Sequence, residues 1–236
     1  MNSMIEFGHA THTGLARAHN EDTYWVDAGL GLFVVAGGIG GPGHGEVASM
    51  LACRAVVEGV QRGDALGAAI AGADRAIAEH GRTQAAGGPL GATLAALHLD
   101  GSHYTAARIG DAHLLGWRDG QLWPIEPAPP GPRTTDRSAS AVISPVPASA
   151  PHQSTQALGI TPAGDLQIVQ AEGTFERGTQ VLLCSDGLAD ELDRSRIAAI
   201  LARTELAAQE CVDHLLLAAL DAGGHDNLTA LLVRIA

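Results

Sequence analysis

The sequence is poor in aromatic residues and in basic residues, and each shortage excludes a class of protein. Phe, Trp and Tyr make up 3% of the 236 residues, so the core has to be built from Ala, Leu, Val and Ile. Fourteen Lys and Arg stand against 26 Asp and Glu, which gives a formal net charge of −12. Nucleic acids and anionic membrane surfaces are bound through Lys and Arg. We therefore expect neither of them as a partner.

Cysteines and long apolar runs are scarce as well. Cys53, Cys184 and Cys211 lie far apart and form no C-x-x-C pair, which is typical of neither a disulfide framework nor a zinc site. No stretch approaches the roughly 18 apolar residues of a membrane helix. The first sixteen residues lack the basic and apolar regions of a signal peptide. These absences predict a cytoplasmic protein, and we expect a single domain over residues 1–236 and a monomer.

Hydrophobic periodicity predicts an α+β protein with antiparallel sheets, because strands and helices occur in runs instead of alternating. An apolar strand ends at Ala36 and is followed by a glycine-rich loop from Gly37 to Gly43. Helices are predicted over 46–61 and from an N-cap at Asp64 to about residue 80, where Gly81 ends the helix. Further strands are predicted over 93–99, 104–109, 113–118, 121–125, 166–171, 180–184 and 227–235, and further helices over 193–203 and 206–222.

A proline-rich insert interrupts this pattern at about residues 126–162. Prolines at 127, 129, 130, 132, 145, 147 and 151 exclude a helix or a central strand there. A loop of this length in a compact domain is usually functional.

Acidic residues lie at the ends of predicted elements in four of five short motifs. These motifs are Arg17-Ala18-His19-Asn20-Glu21-Asp22, Ala36-Gly37-Gly38-Ile39-Gly40-Gly41, Gly110-Asp111, Ser185-Asp186-Gly187-Leu188 and Asp226-Asn227. Taken singly, Asp-Gly and Asp-Asn are common turn sequences. Carboxylates at several element ends can converge, however, and oxygen ligands of this kind suit Mg²⁺ and Mn²⁺.

In order and spacing, the five motifs resemble the PPM (PP2C-like) metal-dependent protein phosphatases of bacterial type, over roughly residues 8–235. The resemblance implies a β-sandwich of two antiparallel sheets flanked by pairs of helices. It also implies that a metal-activated water hydrolyses phosphoserine and phosphothreonine, with two Mg²⁺ or Mn²⁺ ions and a possible third. The implied substrate is a phosphoprotein of a kinase-signalling system. Cys184 and Ser185 are accordingly not expected to act as nucleophiles.

The resemblance also assigns roles residue by residue. Arg17 corresponds to the phosphate-binding arginine, and Glu21 and Asp22 to the acidic pair of the first motif, with ligand or water-orienting roles. Gly38 would offer its backbone carbonyl to a metal. Asp186 and Asp226 correspond to ligands of the second metal and Asp111 to the ligand of a third, weaker one. The segment from Thr155 to Gly159 is similar to the end of the family's flap.

Gly37 occupies the position where the family has its metal-bridging aspartate. Without that shared anion, two dications would repel each other more strongly, so we expect the first metal site to bind weakly and activity to be impaired. His44 and Glu46 are the nearest candidate substitutes, although Glu46 is better explained by the dipole at the start of a helix. Two alternatives stay open: a pseudophosphatase that binds a phosphoprotein or regulatory partner without turnover, and a Gly37 introduced deliberately to trap the site.

Overall fold

A computed structural model of the chain describes residues 5–41, 43–83, 88–127, 156–162 and 164–235. Strands and helices in this part of the chain are β1 (Ile5–His12), β2 (Asp22–Asp27), β3 (Leu32–Ile39), α1 (Gly45–Gln61), α2 (Leu66–Thr83), β4 (Gly91–Asp100), β5 (His103–Ile109), β6 (His113–Arg118), β7 (Gln121–Pro124), β8 (Val169–Thr174), β9 (Gln180–Cys184), α3 (Asp186–Glu191), α4 (Arg194–Leu201), α5 (Ala208–Ala222) and β10 (Leu228–Ile235). None of the helices among these residues is long and apolar enough to cross a membrane.

The strands form two antiparallel sheets of five strands each, in the orders β1-β10-β9-β6-β7 and β2-β3-β4-β5-β8. Helices α1 and α2 cover the outer face of the second sheet, while α3, α4 and α5 cover the outer face of the first. A third apolar cluster, which includes Phe33, Leu183 and Leu231, fills the space between the sheets. This arrangement confirms the predicted β-sandwich with helices on both sides.

Strand β3 is buried on both faces, which explains its unbroken apolar sequence. Val34 and Ala36 pack against α1 and α2, whereas Phe33 and Val35 point into the space between the sheets. The prediction that the strand ends before Gly37 is wrong. Pairing with β4 continues to Ile39, because the neighbouring strand supplies hydrogen bonds that local glycine-rich sequence does not reveal.

Several other predicted boundaries are wrong as well. Strand β1 was not predicted, and its existence depends on pairing with β10 more than two hundred residues away in the chain. Helix α3 was also missed, because six residues are too short for a helical period to be read. Strand β8 begins at Val169 instead of residue 166, and α2 continues past Gly81 to Thr83. Helices α4 and α5 are shorter than predicted at the ends where they approach each other.

The end of the proline-rich insert is anchored to the fold. Leu158 and Ala92, near the start of β4, exchange two backbone hydrogen bonds. The Gly159 N–H donates to Asp74 Oδ1 at 2.8 Å. Gly159 has φ of +78° and lies against Ile77 of α2, so a side chain would be strained there. Most of the insert, including Thr155, lies outside the described residues.

Candidate functional site

A cleft of about 300 Å³ opens where the two sheets end beside each other. The lining includes every motif residue with a predicted role and some residues for which no role was predicted. The residues that line the cleft are Arg17, Glu21, Asp22, Gly37, Gly38, Ile39, Gly40, Thr93, Asp111, Asp186, Asp226 and Asn227. Among the described residues, the lining thus holds five carboxylates and one guanidinium, which gives the cleft a strong negative charge.

One wall of the cleft is a row of three residues in register across β2, β3 and β4. Asp22 pairs with Gly37, and Gly37 pairs with Thr93. By the alternation of β3, this row lies on the face toward the other sheet. The buried Oδ2 of Asp22 has no hydrogen-bond partner among the described residues.

Burial raises the pKa of Asp22 from 3.8 to about 6. The hydroxyls of Thr229 and Ser185 lower the pKa of this carboxyl, while Asp186 and Asp226 raise it further. Asp22 therefore holds its negative charge at a considerable cost in solvation.

The opposite wall comes from the end of β9 and the start of β10. Asp186 is the first residue of α3, and Asp226 lies in the loop between α5 and β10. Each of these carboxylates accepts the N–H of the following residue at 2.8 Å through its Oδ1. Burial, followed by the nearby Asp111 carboxylate, raises the pKa of Asp186. Its charge would consequently be favoured by a cation.

Arg17 contacts this wall directly. Its Nη2 donates to Asp226 Oδ2 at 2.7 Å, and this hydrogen bond is the main cause of the raised pKa of Arg17. The Arg17 side chain is 55% exposed, so its guanidinium lies at the mouth of the cleft, where it is open to an incoming anion.

Glu21 and Gly38 form the corner at the start of α1. The Gly38 N–H donates to the Glu21 carbonyl at 3.0 Å. A β-carbon on Gly45, the first residue of α1, would lie 2.5 Å from Glu21 Cδ, and one on Gly38 would lie 2.0 Å from the Gly45 carbonyl oxygen. Two glycines are therefore needed for strand, helix and carboxylate to approach so closely.

Asp111 lies in the turn between β5 and β6, as predicted from the break after Ile109. Gly110 has φ of +73°, and Arg108 Nη1 donates to the Gly110 carbonyl at 2.9 Å, which fixes this turn. The turn connects the two sheets and brings Asp111 to the cleft.

Position 37 adds no donor side chain to the cleft. A β-carbon built there would lie 2.9 Å from Thr93 Oγ1 and 3.3 Å from Asp22 Oδ1, so a carboxylate at this position would stand between those two side chains. The backbone of Gly37 is not in the left-handed region, so other residues can adopt it. Neither His44 nor Glu46 is among the described residues that line the cleft. Glu46 lies in the first turn of α1, as its dipole interpretation predicts.

The donor chemistry of the cleft fits a hard divalent cation, but the ligand set is incomplete. Clustered carboxylates and a buried, unpartnered Asp22 oxygen are the kind of groups that Mg²⁺ and Mn²⁺ neutralise. In the side-chain positions of the described residues, however, no three His, Cys, Asp or Glu side chains are arranged around a common ion, so these carboxylates would have to turn toward a metal to bind it. The cleft therefore has the right kind of ligand, and it lacks a donor at Gly37.

Two residues that line the cleft were missed from the sequence. Thr93 enters through strand register, for which no local signal exists. Asn227 was noted only as the neighbour of Asp226. Its side chain donates to the carbonyls of Thr13 and His19 and accepts the N–H of Glu21, so it holds the first motif in place. Cys184 is buried and its pKa is raised to about 12, which excludes a thiolate nucleophile at neutral pH.

Comparisons with known proteins agree with this geometry. A sequence profile of the family described as protein phosphatase 2C matches residues 16–221. The serine/threonine protein phosphatase PstP of Mycobacterium tuberculosis is 29% identical over 238 aligned positions, which cover 98% of this chain and 45% of PstP. The chain thus spans about half the length of this relative.

Solved structures show the same fold. The catalytic domain of PstP in complex with two manganese ions superposes with a TM-score of 0.79 at 28% identity, covering 98% of both chains. PppA, a regulatory component of the type VI secretion system (T6SS) in Pseudomonas aeruginosa, superposes with a TM-score of 0.76 at 26% identity, covering 100% of this chain and 99% of PppA. With the profile match over most of its length, the chain belongs to the protein phosphatase 2C family.

Proposed function

We propose that this chain is a metal-dependent serine/threonine phosphoprotein phosphatase whose activity is reduced by glycine at position 37. The observation that carries this proposal is the convergence of Arg17 and five carboxylates on one cleft at the ends of the two sheets. The manganese ions bound by the PstP catalytic domain support the choice of cofactor.

The chain's own residues divide the work in the proposed reaction. Arg17 grips the phosphate oxygens of phosphoserine or phosphothreonine through its planar fork of donors. Asp186 and Asp226, with Glu21 or Asp22, would hold a Mg²⁺ or Mn²⁺ ion, with Asp111 and the Gly38 carbonyl at the edges of the set. When bound, the cation supplies an activated water and neutralises charge on the phosphoryl group.

Gly37 limits this arrangement because two neighbouring dications need a shared anion between them. Without that anion, we infer that Asp186, Asp226 and an acid of the first motif bind one cation firmly and that a second cation binds weakly. A phosphoprotein is the proposed substrate. A cytoplasmic location and a monomeric state stay predictions.

The test compares hydrolysis of a phosphothreonine peptide and of p-nitrophenyl phosphate by the wild type, Gly37→Asp and Gly37→Ala, in the presence of Mn²⁺. We expect Gly37→Asp to raise kcat/KM at least about tenfold, which is about 1.4 kcal/mol of transition-state stabilisation. Gly37→Ala is the matched control, since it adds the β-carbon without the carboxylate, and it should stay at the wild-type rate. Calorimetric titration with Mn²⁺ should give one tight site in the wild type and two in Gly37→Asp.

Two outcomes would contradict parts of this proposal. Equal and substantial rates in the wild type and Gly37→Asp would remove the claim that Gly37 limits activity. Absence of turnover in both proteins, with Mn²⁺ bound, would overturn the assignment as a phosphatase and favour a protein that binds a phosphorylated partner.

A further inference from the structure

Asp186 and Asp226, the two carboxylates of one cleft wall, lie just beyond the paired ends of β9 and β10, where Cys184 pairs with Ala230. Asp226 follows Gly223 and Gly224, which have φ of +150° and +54°. Such a turn is permissive, because glycine has many accessible backbone conformations. Strand pairing begins only at Leu228, after Asp226, so contacts to the loop itself also help to fix the position of Asp226 relative to Asp186.

Glu191, the last residue of α3, supplies such a contact. Its Oε1 accepts the backbone N–H of His225 at 2.7 Å and lies 2.7 Å from His225 Nδ1. A carboxylate can only accept, so the ring proton sits on Nδ1. The Glu191 side chain is only 10% exposed, whereas that of His225 is 78% exposed. The carboxylate is thus turned inward onto the loop and away from water.

Helix α3 therefore touches the Asp226 loop at both of its ends. At its start, a β-carbon on Gly187 would lie 2.2 Å from the Asn227 carbonyl oxygen, so backbone meets backbone there. At its end, Glu191 holds His225. Asp186 belongs to the same helix, so α3 and the paired ends of β9 and β10 together set the spacing between the two acids.

The same loop also supports the segment that carries the cleft's guanidinium. The Leu15 N–H donates to the Gly224 carbonyl at 2.7 Å, two residues before Arg17. A loop held by Glu191 consequently fixes Asp226 directly and Arg17 indirectly.

We propose that Glu191 is a positioning residue that holds the Asp226 loop against helix α3 and so sets the geometry of the Asp186–Asp226 pair. Its consequence for metal binding and turnover rests on the proposed phosphatase function. Glu191 itself does not line the cleft among the described residues, so it would act through Asp226.

The experiment combines amide hydrogen exchange of the 236-residue chain without metal and Mn²⁺ titration by calorimetry, for the wild type, Glu191→Ala and Glu191→Gln. We expect Glu191→Ala to speed exchange at His225 and Asn227 at least about tenfold. The Leu231 amide in the middle of β10 should exchange at an unchanged rate. The Mn²⁺ dissociation constant should rise about tenfold, as for other residues that orient a metal ligand.

The matched control is Glu210→Ala. Glu210 also accepts a backbone N–H at 2.8 Å, that of Ala207 at the start of α5, but it lies away from the cleft. The substitution Glu210→Ala should lower the melting temperature without changing the Mn²⁺ dissociation constant. Glu191→Gln keeps an acceptor oxygen, so its exchange rates and its Mn²⁺ dissociation constant should lie between those of the wild type and Glu191→Ala. If the alanine variant does not fold, Glu191→Gln still tests the proposal.

Unchanged exchange at His225 and Asn227 in Glu191→Ala would overturn the proposal, as would a loosened loop with unchanged Mn²⁺ affinity. A wild type that binds no Mn²⁺ would count against the proposed function instead. The exchange rates would still decide whether Glu191 holds the loop, because they are measured without metal.

Discussion

At the scale of single residues, Arg17 shows how an exposed side chain can matter for binding while contributing little to folding. Its bond to Asp226 joins two side chains that are 55% and 39% exposed. Exposed ion pairs contribute at most about 1 kcal/mol to stability. The proposed role of Arg17 is therefore to bind phosphate through the donors of its planar guanidinium at the mouth of the cleft.

Replacing Arg17 by Lys should raise KM for a phosphopeptide, because a point charge cannot reproduce the bidentate grip on phosphate. We expect kcat/KM to fall about tenfold in Arg17→Lys and further in Arg17→Ala, with the midpoint of urea unfolding nearly unchanged. Steady-state kinetics with Mn²⁺ measures this. The exposed Arg54, paired with Glu58 on α1, gives a control in Arg54→Lys that should leave kcat/KM unaltered.

Asp22 predicts how stability without metal depends on pH. Its folded-state pKa of about 6 lies above the unfolded value of 3.8, so the native state binds the proton more tightly. The stability that this tighter proton binding contributes is therefore fully present below pH 4 and is lost as the pH rises through 6. The full difference corresponds to at most about 3 kcal/mol. In EDTA, Asp22→Asn should be more stable than the wild type at pH 8 and no more stable at pH 4.

Urea unfolding at both pH values checks this prediction. A stabilisation by Asp22→Asn of equal size at pH 4 and pH 8 would mean that burial of the charge is not its cause.

At the scale of elements, the close approach of β3 to α1 decides where the cleft forms. A β-carbon on Gly38 would lie 2.0 Å from the carbonyl oxygen of Gly45, and backbone atoms cannot move aside cheaply. Gly41, a few residues on, has open space around its missing side chain.

Gly38→Ala should consequently lower the free energy of unfolding by about 3 kcal/mol or more, as overpacking against backbone does, and it should weaken Mn²⁺ binding. Gly41→Ala should change stability by less than about 0.5 kcal/mol. Urea unfolding of both variants separates a specific close contact from a general loss of glycine. Similar losses in both would contradict the packing explanation.

Besides its backbone hydrogen bonds to Ala92, the end of the proline-rich insert is held by one partly buried hydrogen bond to α2. Asp74 is 8% exposed and accepts the Gly159 N–H. Removing the acceptor in Asp74→Ala deprives the half-buried Gly159 N–H of its partner, which should cost about 1 kcal/mol. Asp64→Ala removes an exposed partner of Arg62 nearby and should cost much less. Urea unfolding and proteolysis near residue 159 would measure the difference.

At the scale of the whole molecule, the fold concentrates negative charge that a cation can neutralise. In the part of the chain that the structure describes, five carboxylates and one guanidinium line the cleft. At one hundred times its dissociation constant, Mn²⁺ should add about 2.7 kcal/mol to the free energy of unfolding. For a domain of this size that corresponds to a rise in melting temperature of about 5–10 °C.

Melting curves with Mn²⁺ and with KCl at matched ionic strength test this expectation. The salt control should give a much smaller rise, since screening acts weakly on buried charges. Asp226→Asn should reduce the rise produced by Mn²⁺. A rise of the same size in that variant would place the bound ion elsewhere.

The sequence by itself determined the composition of the core, most elements and the identity of the cleft's acids. Periodicity locates α1 and β9, and the pairs Asp100-Gly101 and Asp119-Gly120 mark the hairpins β4–β5 and β6–β7, because these signals are local. The glycine at position 37 was likewise visible from the motif, and its effect on metal binding stays a prediction.

Only the tertiary structure decided which distant residues meet. The row of Asp22, Gly37 and Thr93 depends on strand register, and the contact between Glu191 and His225 joins residues 34 positions apart. Strand β3 extends through Gly37 for the same reason, because its hydrogen bonds there are made with the neighbouring strand β4. Such contacts arise when two sheets and their helices pack together, and a local pattern of residues carries no record of that packing.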